Sequence, residues 1–160
     1  MAADNVLTTS DLTIGELKDE ISKLLFVKKS EEMLISVISF GYKNGIPLES
    51  DLVMDVRFLA NPYYVISLRE KNGLDKEVQD YILKAPYAKT FMKKFVDLLF
   101  YLLPKYIKEG KSYLTIAVGC SGGKHRSVFM AHFLAETLRN KGFNCTEIHR
   151  DIDIVKKEVW

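Results

Sequence analysis

Apolar positions along the chain follow two different periods. Leu17, Ile21, Leu24 and Leu25 recur at helical spacing behind Thr13-Ile-Gly-Glu16, which has the form of a capping box. This pattern predicts a helix over residues 14–26, preceded by a small, polar, frayed start. The charged run Lys28-Lys-Ser-Glu-Glu32 reads as a linker. Residues 1–32 therefore form a separable piece, and residues 33–160 the main domain. Residues 33–40 are apolar and β-branched-rich, a buried strand ending at Gly41, followed by turn chemistry to Pro47. Residues 52–56 make a second strand with Asp55 and Arg57 at its end.

Asn61-Pro62 and Asn72-Gly73 bracket a long irregular stretch over 58–74, and long loops of this kind are often functional. Asp75 is placed to cap a short helix over 75–84. Pro86 suits the first turn of a longer helix with Phe91, Phe95, Leu98, Leu102 and Tyr106 as its apolar face. Pro104 is expected to kink or end the regular part of that helix, and Gly110 to stop it. Residues 112–118 read as a central strand. Val128, Ala131, Ala135 and Leu138 mark a further helix, with Arg139, Lys141 and Gly142 as its C-terminal signals. Residues 143–149 form a last strand. The alternation predicts an α/β fold, an open, mostly parallel sheet flanked by helices.

Composition changes little in this picture. The 160 residues suit one domain, and the formal charge of +2 excludes a wholesale polyanion binder. Two cysteines, Cys120 and Cys145, make no disulfide framework. No apolar run is long enough to span a bilayer, and Met1-Ala-Ala-Asp4 does not open a signal peptide. A cytoplasmic location is expected. Three scattered histidines and two cysteines suggest no metal site. His132 lies on a helix and reads as a structural or surface residue.

The chemistry concentrates in Gly119-Cys-Ser-Gly-Gly-Lys-His-Arg-Ser127, between a strand and a helix. Gly119, Gly122 and Gly123 let the backbone turn tightly and approach a ligand, and their N–H groups can converge on an anion. The helix that follows adds its positive end. Lys124 and Arg126 add charge, and Arg126 can grip two phosphate oxygens at once. Ser121 and Ser127 add hydroxyls, and His125 adds charge if protonated near neutral pH. No Walker A motif occurs in the chain. Cys120-x5-Arg126-Ser127 also has the spacing of cysteine-dependent phosphatases, where a cysteine at a helix start among cations is nucleophilic. Gly119 stands where many tyrosine phosphatases have histidine, and no general-acid aspartate is evident. The alternative is that Cys120 simply touches the ligand.

A second constellation lies at Asp55, Arg57 and Asn61. The charged pair can hydrogen-bond a hydroxylated ligand or pair internally. Lys43 and Asn44 share the same sheet edge if the strands are parallel, and otherwise sit in a solvated turn. Arg139, Lys141, Arg150, Lys156 and Lys157 can form a modest basic patch for RNA or a solvated surface.

Several segments, in order, resemble the C-terminal domain of the RapZ/YvcJ family. They are Ser39-Phe-Gly-Tyr-Lys-Asn-Gly-Ile-Pro47, Asp51-Leu-Val-Met-Asp-Val-Arg-Phe-Leu-Ala-Asn-Pro62, Gly73-Leu-Asp75, residues 111–127 and His149-Arg-Asp151. The resemblance covers about residues 33–151, and Thr9 to Leu25 is similar to the segment joining this domain to the family's N-terminal half. It implies a phosphofructokinase-subdomain-like fold without kinase activity or cofactor. It also implies a sensor of a phosphorylated sugar, glucosamine-6-phosphate or a UDP-sugar. Residues 120–127 would then hold the phosphate, with Asp55, Arg57, Asn61 and Tyr63 facing the sugar. Further implied partners are a small RNA, an endoribonuclease and an N-terminal P-loop domain, in a homo-oligomer. Nucleotide hydrolysis by a Walker A domain does not carry over. The tail Val155-Lys-Lys-Glu-Val-Trp160 is less basic than in the RNA-binding branch, and Tyr63 stands where that branch has histidine.

Overall fold

A computed structural model describes residues 10, 12–14, 16, 17 and 33–153. The predicted helix beyond residue 17, the linker at 28–32 and the tail with Lys156 and Lys157 lie outside the described residues. The capping box is formed: the Thr13 N–H donates to Glu16 Oε2 at 2.8 Å, and the Glu16 N–H donates back to Thr13 Oγ1 at 3.3 Å.

Four strands, β1 (Leu34–Gly41), β2 (Leu52–Asp55), β3 (Tyr113–Cys120) and β4 (Cys145–His149), form one sheet in the order β2-β3-β1-β4. Every pairing is parallel. The fold is thus α/β with an open, all-parallel sheet and three helices, α1 (Lys76–Leu83), α2 (Pro86–Lys108) and α3 (Arg126–Asn140). The β2-to-β3 and β3-to-β4 connections step the same way across the sheet. Right-handed crossovers then place all three helices on one face. The burial pattern agrees. Ile35 and Val37 pair in register with Leu114 and Ile116, and all four join α1, α2 and α3 residues in one apolar cluster.

The β1-to-β2 connection steps the other way through residues 42–51 without an α-helix. Its far end is fixed by Asp51, whose carboxylate accepts the Thr115 N–H at 2.8 Å and the Lys111 ammonium at 2.6 Å. Because the chain leaves β1 in one direction and β3 in the other, a crevice opens between their carboxyl ends, where ligands of open α/β sheets bind.

Three expectations need correction. Pro104 does not end α2, which runs through it to Lys108. A proline there forfeits one backbone bond, a loss that the tertiary contacts of buried Leu103 and of half-buried Tyr106 and Ile107 on either side can offset. The buried stripe of α2 is Ala88, Met92, Phe95, Leu99 and Leu103, about one position away from the stripe of large residues expected. Small Ala88 and pliant Met92 lie in the buried apolar cluster, whereas Leu98 is left half-exposed. Asp75 occupies the N-cap of α1, but its carboxylate turns back to accept the Asn72 N–H at 2.6 Å and closes the preceding turn instead.

Adjacent α2 residues should therefore respond differently. Leu99→Ala is expected to cost about 2–5 kcal/mol in urea unfolding of dilute protein. Leu98→Ala should stay within about 0.5 kcal/mol. Equal losses would contradict the assignment of the buried stripe.

Candidate functional site

Strand β3 runs on to Cys120 and α3 begins at Arg126, so the loop shortens to residues 121–125. Tight backbone approaches fix its path. A side chain at Gly41 would come within 2.7 Å of the Gly122 backbone, and one at Gly123 within 2.7 Å of Asp151 Cβ and of the Gly41 nitrogen. Gly123 has φ +79°, the left-handed region. Gly122 differs: a Cβ there would meet nothing within 4 Å. Its Cα faces an open cleft of about 1290 Å³ that the residue helps to line.

Neighbouring segments hold the loop from both sides. The Lys43 N–H donates to the Ser121 carbonyl at 3.3 Å, and the Gly73 N–H to the Lys124 carbonyl at 2.9 Å. Asp151 is buried and accepts the Gly41 N–H at 2.6 Å while pairing with Arg150 at 2.8 Å. Burial pushes the Asp151 carboxyl up, but the Arg150 and Gly41 hydrogen bonds outweigh it and hold the group below the usual carboxylate range.

His125 is buried, with Nε2 3.1 Å from the Leu68 carbonyl, so Nε2 carries the hydrogen. Burial lowers its pKa against the pull of that carbonyl, and Lys124 pushes it down further. The charge that the sequence left open for His125 is therefore disfavoured: burial favours the neutral ring. Arg126 is 5% exposed. Its Nη1 donates to the carbonyls of Arg57 at 2.5 Å and Leu59 at 3.2 Å, and Nη2 to Ser121 Oγ at 3.3 Å. Nε has no partner. Half of the expected two-oxygen grip is thus already committed to the loop after β2. Among the described residues this buried cation makes no ion pair. Cys120 is 3% exposed, its Sγ 3.1 Å from Ser127 Oγ and 3.3 Å from the donating Gly123 N–H.

The cleft brings together Lys43, Asn61, Tyr63, Cys120, Ser121, Gly122, Lys124, His125 and Arg126 from the sequence-derived set. Gly123 and Ser127 support the loop from behind. Asn44, Asp55 and Arg57 do not line the cleft. Asp55 and Arg57 form an internal pair at 2.6 Å, and the guanidinium stacks 4.2 Å from the Tyr42 ring. Of the proposed basic patch, Lys156 and Lys157 lie outside the described residues, and Arg139 and Arg150 stand at opposite ends of β4. Arg139 pairs with Glu136 and Glu147 and reaches the Cys145 carbonyl at the start of β4, whereas Arg150 lies past the other end of that strand. Lys141 is exposed beyond α3. His132 and His149 both bond Glu147 Oε1, at 3.0 and 2.9 Å, away from the cleft.

Sequence reading missed Tyr64, Arg69, Glu70, Asn72, Asp151, Ile152 and Asp153 as lining residues. Most fall in the irregular stretch over 58–74, whose length alone marked it. The rest follow β4, a strand that ends on the same edge. Two 3-10 turns, Pro62–Tyr64 and Ile66–Leu68, fold the stretch over the loop. Asn61 Oδ1 accepts the Tyr63 N–H at 3.3 Å, and Arg69 stacks 4.9 Å from the Tyr63 ring.

A family model described as the RapZ C-terminal domain matches residues 33–153. A nucleotide-binding protein of Caldicellulosiruptor saccharolyticus is 48% identical over 152 residues, covering 94% of this chain and 52% of that protein. One of Halothermothrix orenii is 51% identical over 153 residues, covering 94% of this chain and 54% of that protein. One of Moorella thermoacetica is 47% identical over 150 residues, covering 94% of this chain and 50% of that protein. The chain spans about half the length of these curated relatives. It belongs to the RapZ C-terminal domain family.

The neutral His125 gives a pH dependence of defined sign. In the unfolded chain a histidine titrates near 6.5, whereas burial depresses the folded value. Between the two values the unfolded state binds the extra proton, so stability falls as pH drops below about 6.5. His149, also depressed by burial, acts in the same sense. Chemical denaturation at about pH 7.5 and about pH 5.5 should show a smaller stability loss for His125→Gln than for the wild type. An equal or larger loss would mean that His125 is not held neutral.

Proposed function

We propose that this RapZ-type domain binds a phosphorylated amino sugar or a nucleotide sugar in the cleft and acts as a regulatory sensor, without chemistry of its own. Arg126 carries the reading. A buried guanidinium bonded only to neutral oxygens, with Nε unpartnered, is costly unless an anion compensates it. The cleft supplies the place for that anion. Gly122 is open to it, Lys43 and Lys124 add charge, and the N-terminal end of α3 is not closed by any side-chain cap.

The sugar is proposed to lie between the loop and the wall carrying Asn61, Tyr63, Tyr64, Arg69 and Asn72. A cleft of about 1290 Å³ has room for a hexose phosphate or for a nucleoside diphosphate sugar. The relatives' description as nucleotide-binding belongs to proteins about twice this length. For this chain a nucleotide is proposed only as part of such a sugar. A P-loop half beside this domain, and RNA and an endoribonuclease as partners of the whole protein, complete the proposal on family membership. Among the described residues no helix is long and apolar enough to cross a membrane.

One observation favours a second reading, a cysteine phosphatase: Cys120 lies at the start of the loop, its Sγ receiving the Gly123 N–H at 3.3 Å and 3.1 Å from Ser127 Oγ. Its burial and the outward commitment of Arg126 favour the sensor instead.

Calorimetry with glucosamine-6-phosphate and UDP-N-acetylglucosamine tests the sensor. Wild type should bind at least one. Gly122→Val, which fills the cleft without a clash, should weaken binding at least about tenfold, about 1.4 kcal/mol, with its melting temperature nearly unchanged. No binding by wild type, or undiminished binding by Gly122→Val, would sink the reading. Turnover of p-nitrophenyl phosphate that disappears in Cys120→Ser would establish the phosphatase instead.

A further inference from the structure

The wall that residues 58–74 give the cleft carries a ring and two amides with capacity to spare. Tyr64 lines the cleft and is 78% exposed; the Tyr63 ring meets it at 6.1 Å between centroids, so most of the side chain is uncovered. Asn61 and Asn72 line the same cleft, and both are half-buried. Asn61 Oδ1 accepts the Tyr63 N–H at 3.3 Å, and Asn72 Oδ1 accepts the Leu74 N–H at 2.8 Å. A backbone N–H needs an acceptor, so these bonds identify the oxygen of each amide and leave each Nδ2 as a donor. Among the described residues neither Nδ2 has a protein acceptor. The wall is also braced. Arg69 stacks 4.9 Å from the Tyr63 ring and its Nε donates to the Tyr63 carbonyl at 3.2 Å, while the Gly73 N–H ties the wall to the Lys124 carbonyl at 2.9 Å.

We propose that this wall is a nucleobase subsite, so that the cleft takes a nucleotide whose base carries carbonyl oxygens, a uridine rather than an adenosine diphosphate. The inference rests on the reading of the glycine loop as an anion site. Tyr64 supplies the stacking surface, since every base has a face that an aromatic ring can cover. The two Nδ2 amides then select the base by its edge. Uracil presents two carbonyl oxygens, acceptors for both donors. Adenine presents ring nitrogens beside an exocyclic amine, and that amine would set donor against donor.

Room argues for the second ring. The cleft of about 1290 Å³ exceeds the roughly 300–1,000 Å³ of ordinary small-molecule sites, so a hexose phosphate seated on the loop leaves space beyond it. An N-acetylated hexose phosphate would offer one carbonyl oxygen, but it would leave the second amide without an acceptor. Because the wall is bonded to the loop, the ring and the amides stand at a set distance from the phosphates. A ligand of matching span then meets a preformed site and loses little freedom of the protein on binding.

Calorimetry with inorganic pyrophosphate, UDP, ADP and N-acetylglucosamine-6-phosphate tests the subsite. The wild type should bind UDP at least about tenfold tighter than pyrophosphate and at least about threefold tighter than ADP. Tyr64→Ala should bring the ratio of UDP to pyrophosphate affinity close to one, whereas Tyr64→Phe should keep it. Asn72→Ser keeps an oxygen for the Leu74 N–H and removes the amide, so it should erase the preference for UDP over ADP. Pyrophosphate bound as tightly as UDP, or a ratio unchanged in Tyr64→Ala, overturns the base subsite while the anion site stands. Equal affinity for UDP and ADP overturns the choice of base, and N-acetylglucosamine-6-phosphate bound tighter than UDP gives the wall to a sugar. If no phosphate ligand binds, the anion site itself falls and the subsite with it.

Discussion

Arg126 is the residue on which the rest of the site depends. It is the first residue of α3, yet its guanidinium reaches across to the Arg57 and Leu59 carbonyls and back to Ser121. The loop after β2 is thereby held against the glycine loop and the helix start that follows it, segments some sixty residues apart in the chain. Charge-assisted bonds of this kind are stronger than neutral ones, and losing one leaves buried carbonyls unpaired. The same commitment leaves the charge without a counter-ion. Structural clamp and anion receptor are two consequences of one buried cation.

Close backbone packing does the remaining positioning. Gly41 and Gly123 touch through positions that admit no side chain, and Gly73 approaches the His125 carbonyl and the Phe129 nitrogen from the other side. The loop is therefore set by its neighbours, and Gly122 is the glycine of this group whose freedom from contact points to a ligand. Buried Asp151 serves the same scaffold. Its carboxylate ties Gly41 to Arg150, and Arg150 in turn donates to the Gly45 carbonyl at 2.7 Å.

Legibility in the sequence tracked the range of the physics involved. Strands, helices and the parallel sheet were readable because apolar periodicity and turn residues act locally. The anion loop was readable because glycines, cations and a strand-to-helix junction coincide within nine residues of chain, Gly119 to Ser127. The apolar face of α2 was misplaced by about one position, because residue size alone does not say which apolar positions the core buries. Asp55 and Arg57 looked as suited to a ligand as to each other. Their two-residue separation at a strand end let them close on one another, with Tyr42 stacked beneath the guanidinium.

By itself, the sequence determined the fold class, the order of elements, the family resemblance and the loop that bears the charge, since each rests on neighbours along the chain. The tertiary structure decided what those residues do there. It made His125 neutral by burying it against the Leu68 carbonyl, turned Arg126 into a clamp, and withdrew Asn44, Asp55 and Arg57 from the cleft. It also brought Arg69, Asn72 and Asp151 to its wall. Burial, desolvation and contacts between distant segments exist only once the chain has closed on itself, so no local pattern encodes them.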